Sequence, residues 1–364
     1  MKQSVKTLLI LLIVACICVP TLLLFAGCEK IYDYNGVRYR IYSDHAEVVH
    51  FYLNDDYPVD EQVCIVPAEI QYEGETYPVT AIGDGHHGTS HLVSDNGHVG
   101  ELVLPQTVTE IRFHDYDNNS FGYLTKYTVH EDNEVYASLN GVLFDKGYKT
   151  LLRYPRLNDE PSFTIPQQTT VIDEESGVWD NELVGEIIVE EGNQAYKSSG
   201  GALFTANLQT LLLYPQGRDA DSFELPRQTA TIDVSSRFWD NTSLKYINVE
   251  QGNVYYSTQG NVLYSQDGNE LVFRPRSEQS YFAIPSTVSV VGYNALPDVE
   301  HLFVPSSVTL FMDAFVTGDY PVFDISNIYF EGSVLPNYVT ASSFRNSNVR
   351  TNVTLDEFNA LFTN

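Results

Sequence analysis

The sequence repeats itself with a period of 60 residues, and this repetition constrains the fold more than any other feature. An Asn-x-x-Tyr motif begins at Asn133, Asn193 and Asn253. In the same register, an Ile-Pro or Leu-Pro pair ends at Pro166, Pro226 and Pro285. Repeats of this length are stacked supersecondary units, because one unit cannot bury its apolar face alone. The sequence therefore predicts a solenoid.

Alternating apolar and polar side chains predict two short strands in each repeat. Successive side chains of a strand point to opposite faces, so every second residue should be buried. The residues expected to face inward are Phe163, Ile165, Ile187, Val189, Phe223, Leu225, Ile247 and Val249. The residues expected to face outward are Thr164, Ile188, Glu224 and Asn248. The stretch after each Asn-x-x-Tyr motif predicts a β-hairpin, with Asp267-Gly268 as the clearest turn.

Proline-spaced apolar motifs, and the insertion between them, carry a family resemblance. The spaced motifs are Pro105-x-x-Val108-x-x-Ile111, Pro166-x-x-x-x-Val171-Ile172 and Pro285-x-x-Val288. The insertion runs from Asn133-x-x-Tyr136-x-Ser138-x-x-Gly141-Val142-Leu143 to Tyr154-Pro155. From about Val63 to Ser333 the chain resembles the BspA-type leucine-rich-repeat family, with local departures at Phe273-Arg274 and in a His-rich first turn. The resemblance implies a β-rich solenoid with inserted β-hairpins, and a bacterial surface protein that binds other proteins or host surfaces.

Both ends of the chain predict caps on the solenoid, which we expect over residues 63–335. Residues 28–62 contain short alternating segments at 39–42 and 48–51, and they predict an N-terminal β cap. Residues 336–364 predict a short C-terminal helical cap, because Thr354 and Glu357 match a capping box. Such caps protect unpaired sheet edges.

The N-terminus has the pattern of a bacterial lipoprotein signal peptide. Lys2 and Lys6 precede an apolar run over residues 8–24, and Ala26-Gly27 stand directly before Cys28. We therefore expect removal of residues 1–27 and lipid attachment at Cys28. Two alternatives stay open: attachment at Cys16, or an uncleaved helix, since about 20 apolar residues span a bilayer. In each case the chain is expected to be exported and anchored to the cell envelope, at the cell surface.

The charge of the chain excludes two classes of partner. Its 20 Lys and Arg stand against 48 Asp and Glu, a formal net charge of −28. Nucleic acids and anionic membrane surfaces are bound by neutralising phosphates, so a chain this acidic repels them. We expect no nucleic-acid partner, and membrane contact only through the lipid anchor.

Candidate catalytic and metal-binding residues mostly favour structural interpretations. The chain carries a cluster of histidines, His86, His87, His91, His98 and His114. With Asp84 and Asp95 they could hold zinc, but their spacing matches no ligand pattern and a solvated loop is the favoured interpretation. The segment from Asp115 lacks the glycine and glutamate of a calcium loop. Cys64 is expected to be buried. We expect no enzyme activity, metal or cofactor.

The favoured function is therefore a non-enzymatic cell-surface binding protein, adhesin-like, that recognises a protein or a glycan through a repeat face. The alternatives are an envelope scaffold lipoprotein and a metal-dependent enzyme that uses the loop histidines. The candidate binding face is a row of outward aromatic side chains in the last strands, Tyr246, Tyr281, Phe303 and Tyr329. Either this row is exposed, or loops or the 336–364 cap cover it. We expect a monomer.

Overall fold

The computed structural model describes residues 30–52, 63–83, 100–113, 124–233, 236, 238, 240–312, 325–335 and 347–363. The predicted signal peptide, Cys28 and the five clustered histidines lie outside these residues. The chain divides into two compact units, Met1–Lys146 and Gly147–Asn364, which are described separately.

The described residues of the first unit form eleven strands. They are β1 (Lys30–Tyr34), β2 (Val37–Ile41), β3 (Ala46–Phe51), β4 (Val63–Ile65), β5 (Glu69–Tyr72), β6 (Glu75–Ile82), β7 (Glu101–Leu104), β8 (Glu110–Ile111), β9 (Lys126–Val129), β10 (Tyr136–Leu139) and β11 (Val142–Asp145). Strands β1 to β3 form an antiparallel meander, which is the N-terminal β cap. Strand β6 pairs in parallel with β3 and with β8, and it forms an antiparallel hairpin with β5. Strands β4, β7 and β9 form a parallel ladder.

The described residues of the second unit form nineteen strands and one α-helix. The strands are β12 (Thr150–Arg153), β13 (Ser162–Ile165), β14 (Val171–Ile172), β15 (Glu186–Val189), β16 (Tyr196–Ser199), β17 (Ala202–Thr205), β18 (Thr210–Leu213), β19 (Ser222–Leu225), β20 (Thr231–Ile232), β21 (Tyr246–Val249), β22 (Tyr256–Gln259), β23 (Val262–Ser265), β24 (Glu270–Phe273), β25 (Tyr281–Ala283), β26 (Val290–Val291), β27 (His301–Val304), β28 (Leu310–Phe311), β29 (Asn327–Phe330) and β30 (Asn348–Arg350). A 3-10 turn spans Val178–Asp180, and the helix α1 spans Leu355–Ala360.

Parallel ladders organise the second unit, as expected for a solenoid. On one side, β13 pairs with β15, β19 pairs with β21, and β25, β27, β29 and β30 form a four-stranded ladder. On another side, β12, β18 and β24 pair in parallel with β14, β20 and β26. Each ladder brings together residues that are about one turn apart in sequence, which is the defining geometry of a solenoid.

The predicted register is confirmed in these ladders. The inward residues Phe163, Ile165, Ile187, Phe223, Leu225 and Ile247 are each at most 3% exposed. Val189 and Val249, at the strand ends, are half-buried. Among the outward residues, Ile188, Glu224 and Asn248 are exposed and Thr164 is half-buried. A slip of one residue would have reversed this pattern.

Two-residue hairpin tips interrupt the parallel ladders. Gly200 and Gly201 have φ of 55° and 76°, and Gly260 and Asn261 have φ of 56° and 65°. Two successive positive φ angles define a type I′ turn, which matches the twist of hairpin strands. The amide of Ile187 in β15 donates to the carbonyl of Gly201 at 2.9 Å. The tip therefore takes the edge of β15 that a further ladder strand would otherwise use.

Asparagine side chains, buried at Asn133 and Asn253 and half-buried at Asn193, tie each hairpin to the turn before it. Asn193 Nδ2 donates to the carbonyls of Pro166 and Thr169 at 2.9 and 2.8 Å. Its Oδ1 accepts from the amides of Ala195 and Tyr196 at 2.9 and 2.8 Å. Asn253 makes the same four bonds one repeat later, and Asn133 makes them in the first unit. The asparagine of the Asn-x-x-Tyr motif therefore has a structural role, and we call its four hydrogen bonds the asparagine clamp.

The C-terminal cap has the predicted capping box. The amide of Glu357 donates to Thr354 Oγ1 at 3.2 Å, and the amide of Thr354 donates to Glu357 Oε2 at 2.8 Å. These bonds satisfy two backbone donors that a helix start leaves unpaired. Helix α1 therefore begins at the expected residue, and its Phe358 is fully buried.

Candidate binding surface

The row of four aromatic side chains is not an exposed strip. Tyr246 is 54% exposed in β21, whereas Phe303 and Tyr329 are only 2% and 4% exposed, and Tyr281 is half-buried. Tyr246 also belongs to a different ladder from the other three, because β21 pairs with β19 and β25 pairs with β27. The expectation that all four side chains share one exposed face is therefore wrong for Phe303 and Tyr329.

Helix α1 covers the three residues of the last ladder. The Phe358 ring lies 5.6 Å from Phe303 and 5.2 Å from Tyr329, measured between ring centroids. Phe362 stacks on Tyr281 at 4.2 Å, with ring planes 6° apart. Aromatic surface left in water is costly, and two phenylalanines one helical turn apart bury it. This is the second of the two arrangements that the sequence left open.

The outward side chains of the two-stranded ladders form a separate surface, which we call the outer face. It consists of Ser162, Thr164, Glu186, Ile188, Ser222, Glu224, Tyr246 and Asn248, the outward residues of β13, β15, β19 and β21. Ile188 is 40% exposed and Tyr246 is 54% exposed. Their cross-strand partners on this face are Thr164 and Ser222. Each large side chain therefore stands among small or polar neighbours, as an anchor residue does in many interfaces.

The residues of the repeat motifs have structural roles. Tyr136 Oη accepts a hydrogen bond from the Ile111 amide at 3.1 Å, and Tyr196 Oη accepts one from the Ile172 amide at 3.1 Å. Burial raises the pKa of both tyrosines above the ordinary value. These side chains bond backbone groups of the preceding turn, so they fill and tie the core rather than face a ligand.

Several acidic residues also hold the backbone in place. Glu190 Oε2 accepts from the Gln167 amide at 2.8 Å, and Glu250 Oε2 accepts from the Arg227 amide at 2.9 Å. Each accepting glutamate stands at the end of a ladder strand, and each donor directly follows a proline of the neighbouring turn. Some of the acidic side chains therefore stabilise the fold by accepting hydrogen bonds from backbone amides.

The one cysteine among the described residues is not a nucleophile. Cys64 in β4 is buried and has no disulfide partner. Burial raises the pKa of its thiol to about 12, so the thiolate that chemistry requires is not formed at neutral pH. Across the described residues, no three His, Cys, Asp or Glu side chains are placed to hold a metal ion. No helix in that part of the chain is long and apolar enough to cross a membrane.

A second group of aromatic side chains, partly exposed and not evident from the sequence, lies in the N-terminal sheet. It consists of Tyr32, Tyr34, Tyr72 and Tyr77, whose rings form a chain of contacts. The available signal was the alternation Tyr32-x-Tyr34, which places both rings on one face of β1. The approach of β5 and β6 to that face could not be inferred from the sequence.

Taken together, the parallel ladders, the repeat register and the inserted hairpins define a β-solenoid. No protein-family model matches the chain, and no curated protein matches it in sequence.

Several solved structures are similar to the chain, among them the following three. A leucine-rich cell surface protein from Faecalibacterium prausnitzii is 15% identical over 93% of this chain and 99% of its own, with a TM-score of 0.42. The pneumococcal vaccine antigen PcpA is 14% identical over 93% and 97%, with a TM-score of 0.44. A leucine-rich-repeat protein from Eubacterium ventriosum is 13% identical over 89% and 79%, with a TM-score of 0.38. The fold assignment itself rests on the strand ladders of this chain.

Proposed function

We propose that this chain is a non-enzymatic surface binding protein of the BspA type, which recognises a protein or a glycan through its outer face. The chain is exported, is attached to the cell envelope by lipid at Cys28, and acts as a monomer. It binds no nucleic acid, and lipid at Cys28 is its one membrane contact.

The observation that carries this proposal is the exposure of Ile188 and Tyr246 on an otherwise polar face. Both stand at outward positions of ladder strands, 40% and 54% exposed. The register that buries their neighbours places them in solvent, so neither contributes to the core. Tyrosine and isoleucine side chains of this kind supply binding free energy when a partner covers them.

The polar residues of the outer face favour a partner with some positive charge. Glu186 and Glu224 are exposed carboxylates on the same face as the two apolar residues. Neither has an ion-pair partner within the described part of the chain. Together with the net charge of −28, they favour association with a basic surface and raise its rate at low salt.

A capture experiment tests the outer face directly. The mature chain, residues 28–364, with the Cys28→Ser substitution to keep it free of lipid, is used as bait for host extracellular proteins and for an array of glycans. It is compared with the double variant Ile188→Ser, Tyr246→Ser. A matched control carries Val254→Ser and Tyr255→Ser, two exposed residues in the loop between β21 and β22. We expect the outer-face variant to lose at least about fivefold of the captured partner, and the control to lose none.

The location and the lipid anchor are tested separately. Labelling of cells with a palmitate analogue should mark the wild-type protein and not the Cys28→Ser variant. Protease treatment of intact cells should remove the protein if it stands at the surface, and should leave it if it acts as an internal scaffold.

In the capture experiment, equal capture by the outer-face variant and the wild type would reject the outer face as the binding site.

A further inference from the structure

Four tyrosines of the first unit form a continuous row of rings, which we call the tyrosine row: Tyr34, Tyr32, Tyr72 and Tyr77. The centroids of Tyr34 and Tyr32 are 5.9 Å apart, with ring planes at 12°. Tyr32 and Tyr72 are 5.0 Å apart at 59°, and Tyr72 and Tyr77 are 6.3 Å apart at 63°. Tyr34 is 46% exposed and the other three are half-buried. Tyr34 is therefore the most accessible ring of the row, and Lys30 Nζ lies 5.6 Å from the centroid of the Tyr72 ring.

The register of the N-terminal sheet explains the position of the row. Tyr32 and Tyr34 stand opposite Tyr39 and Val37 of β2, and these two partners are buried. Directly paired residues share a face, so the row borders the buried face of the sheet. The hairpin of β5 and β6 brings Tyr72 to β1. An ion pair between Lys30 Nζ and Glu73 Oε2 at 3.3 Å links the same two elements.

The inclination of the rings gives the row a defined shape. The ring of Tyr72 is inclined by about 60° to those of Tyr32 and Tyr77, and proline-rich segments dock on surfaces lined by aromatic rings. A polyproline II helix rises 3.1 Å per residue and keeps no internal backbone hydrogen bonds, so it can lie along an aromatic surface with little ordering cost. The row is at most about 17 Å long, which corresponds to about five residues of such a helix.

A carboxylate lies beside Tyr72. Glu75 stands directly opposite Tyr72 in the β5–β6 hairpin, so its side chain is on the same face as that ring. It is exposed, and it has no ion-pair partner among the residues that the structure describes. A ligand that reaches Tyr72 thus meets this carboxylate next to Lys30, whose charge is balanced by Glu73. The net charge of −28 likewise favours a ligand that carries positive charge.

We propose that the tyrosine row binds an extended, proline-rich peptide segment of another protein, with a basic residue of that segment placed against Glu75. The site lies in the first unit and is separate from the outer face. The proposal therefore goes beyond the proposed function, and each can fail without the other.

The test is a fluorescence-anisotropy titration of the mature chain with a labelled synthetic peptide that has a Pro-x-x-Pro core and a flanking arginine. A second peptide has glutamate in place of the arginine. Protein variants are Tyr34→Ala, Tyr72→Ala and Glu75→Gln, and the control is Tyr255→Ala, an exposed tyrosine of the second unit. Thermal unfolding of each variant checks that it is folded. Tyr34 is the most exposed member of the row, so its variant remains informative if Tyr72→Ala is destabilised.

We expect the arginine peptide to bind, and each tyrosine variant to weaken binding at least about fivefold. The Glu75→Gln variant should weaken binding of the arginine peptide and reduce its salt dependence. The Tyr255→Ala control should bind like the wild type. The proposal is overturned if the peptide does not bind, if Tyr34→Ala binds it unchanged, or if cellohexaose binds in a Tyr34-dependent manner and the peptide does not.

Discussion

At the residue scale, the buried asparagines are the most heavily bonded side chains of the repeat. Asn253 is almost fully buried and uses both ends of its amide to satisfy four backbone groups. Removal of a side chain that satisfies buried backbone groups costs the desolvation of each group left unpaired. An asparagine of this kind cannot be replaced by any apolar residue of similar size.

We predict that Asn253→Ala lowers the free energy of unfolding by about 2 to 4 kcal/mol, because two carbonyls and two amides lose their partner. The matched control is Asn248→Ala, an exposed residue of the outer face, which should change it by less than about 0.5 kcal/mol. Urea unfolding followed by circular dichroism measures both. Similar values for the two variants would contradict the clamp.

A buried ion pair in the first unit predicts a dependence of stability on pH. Burial alone raises the pKa of Glu47, but hydrogen bonds from Arg112 at 2.6 and 2.9 Å and the charge of that guanidinium outweigh it, so the pKa is lowered. A carboxyl with a lowered folded pKa stabilises the fold above its unfolded pKa of about 4.5, and loses this contribution as the pH falls through the folded pKa.

We therefore expect Glu47→Gln to be clearly less stable than the wild type at pH 7, because the variant leaves Arg112 without its buried partner. The difference between the two proteins should shrink as the pH falls below about 4.5 and through the lowered folded pKa of Glu47, because the wild-type carboxyl then becomes protonated. Thermal unfolding of both proteins across this pH range is the measurement. A difference that stays constant with pH would show that the ion pair does not carry the effect.

At the element scale, helix α1 is short and is held by the ladder beneath it rather than by its own length. A helix of six residues is unstable alone in water. Its buried Phe358 contacts Phe303 and Tyr329, and its capping box fixes where it begins. The ladder therefore stabilises the helix, and the helix in turn covers the aromatic side chains of the ladder.

We predict that Phe358→Ala lowers the free energy of unfolding by about 3 to 5 kcal/mol and releases α1 from the ladder. Release would expose Phe303 and Tyr329, so binding of the dye ANS should rise before global unfolding. Leu361→Ala is the control, because Leu361 is exposed on the same segment. Unchanged dye binding by the Phe358 variant would mean that other groups hold the segment.

The sequence predicted the periodic elements and the start of α1, but it left open whether α1 covers the aromatic row. Alternation alone places Phe163 inside and Ile188 outside, and a positive-φ pair such as Gly200-Gly201 is recognisable as a hairpin tip. The covering of Phe303 depends on a contact with Phe358, far along the chain, and no local pattern encodes that contact. The same limit applies to the tyrosine row, since Tyr32 meets Tyr72 only through the packing of two hairpins.

At the scale of the whole molecule, each of the two compact units contains a residue type whose signal can follow the unfolding of that unit. Cys64 is buried in the first unit, and both tryptophans of the sequence lie after residue 147, in the second. Trp179 is held there by a hydrogen bond from Nε1 to the Leu212 carbonyl at 3.1 Å. Thiol reactivity and tryptophan fluorescence therefore report on different units.

We predict two distinct unfolding transitions in urea, because contacts are concentrated within each unit. In the Cys28→Ser mature chain, the thiol of Cys64 should react with a disulfide reagent at one midpoint. Tryptophan fluorescence should change at another. Coincident midpoints in both measurements would show that the chain unfolds as one cooperative body.

The asparagine clamp has a consequence for how such genes change length. Each clamp reaches back only to the turn directly before it, so its partners lie within one repeat of itself. Recombination that duplicates or deletes one whole block of 60 residues would therefore place every asparagine next to an equivalent set of carbonyls. Relatives in the same lineage should differ in length by multiples of this block, whereas insertions of other lengths should be found outside the segments that hold the asparagines and their carbonyl partners.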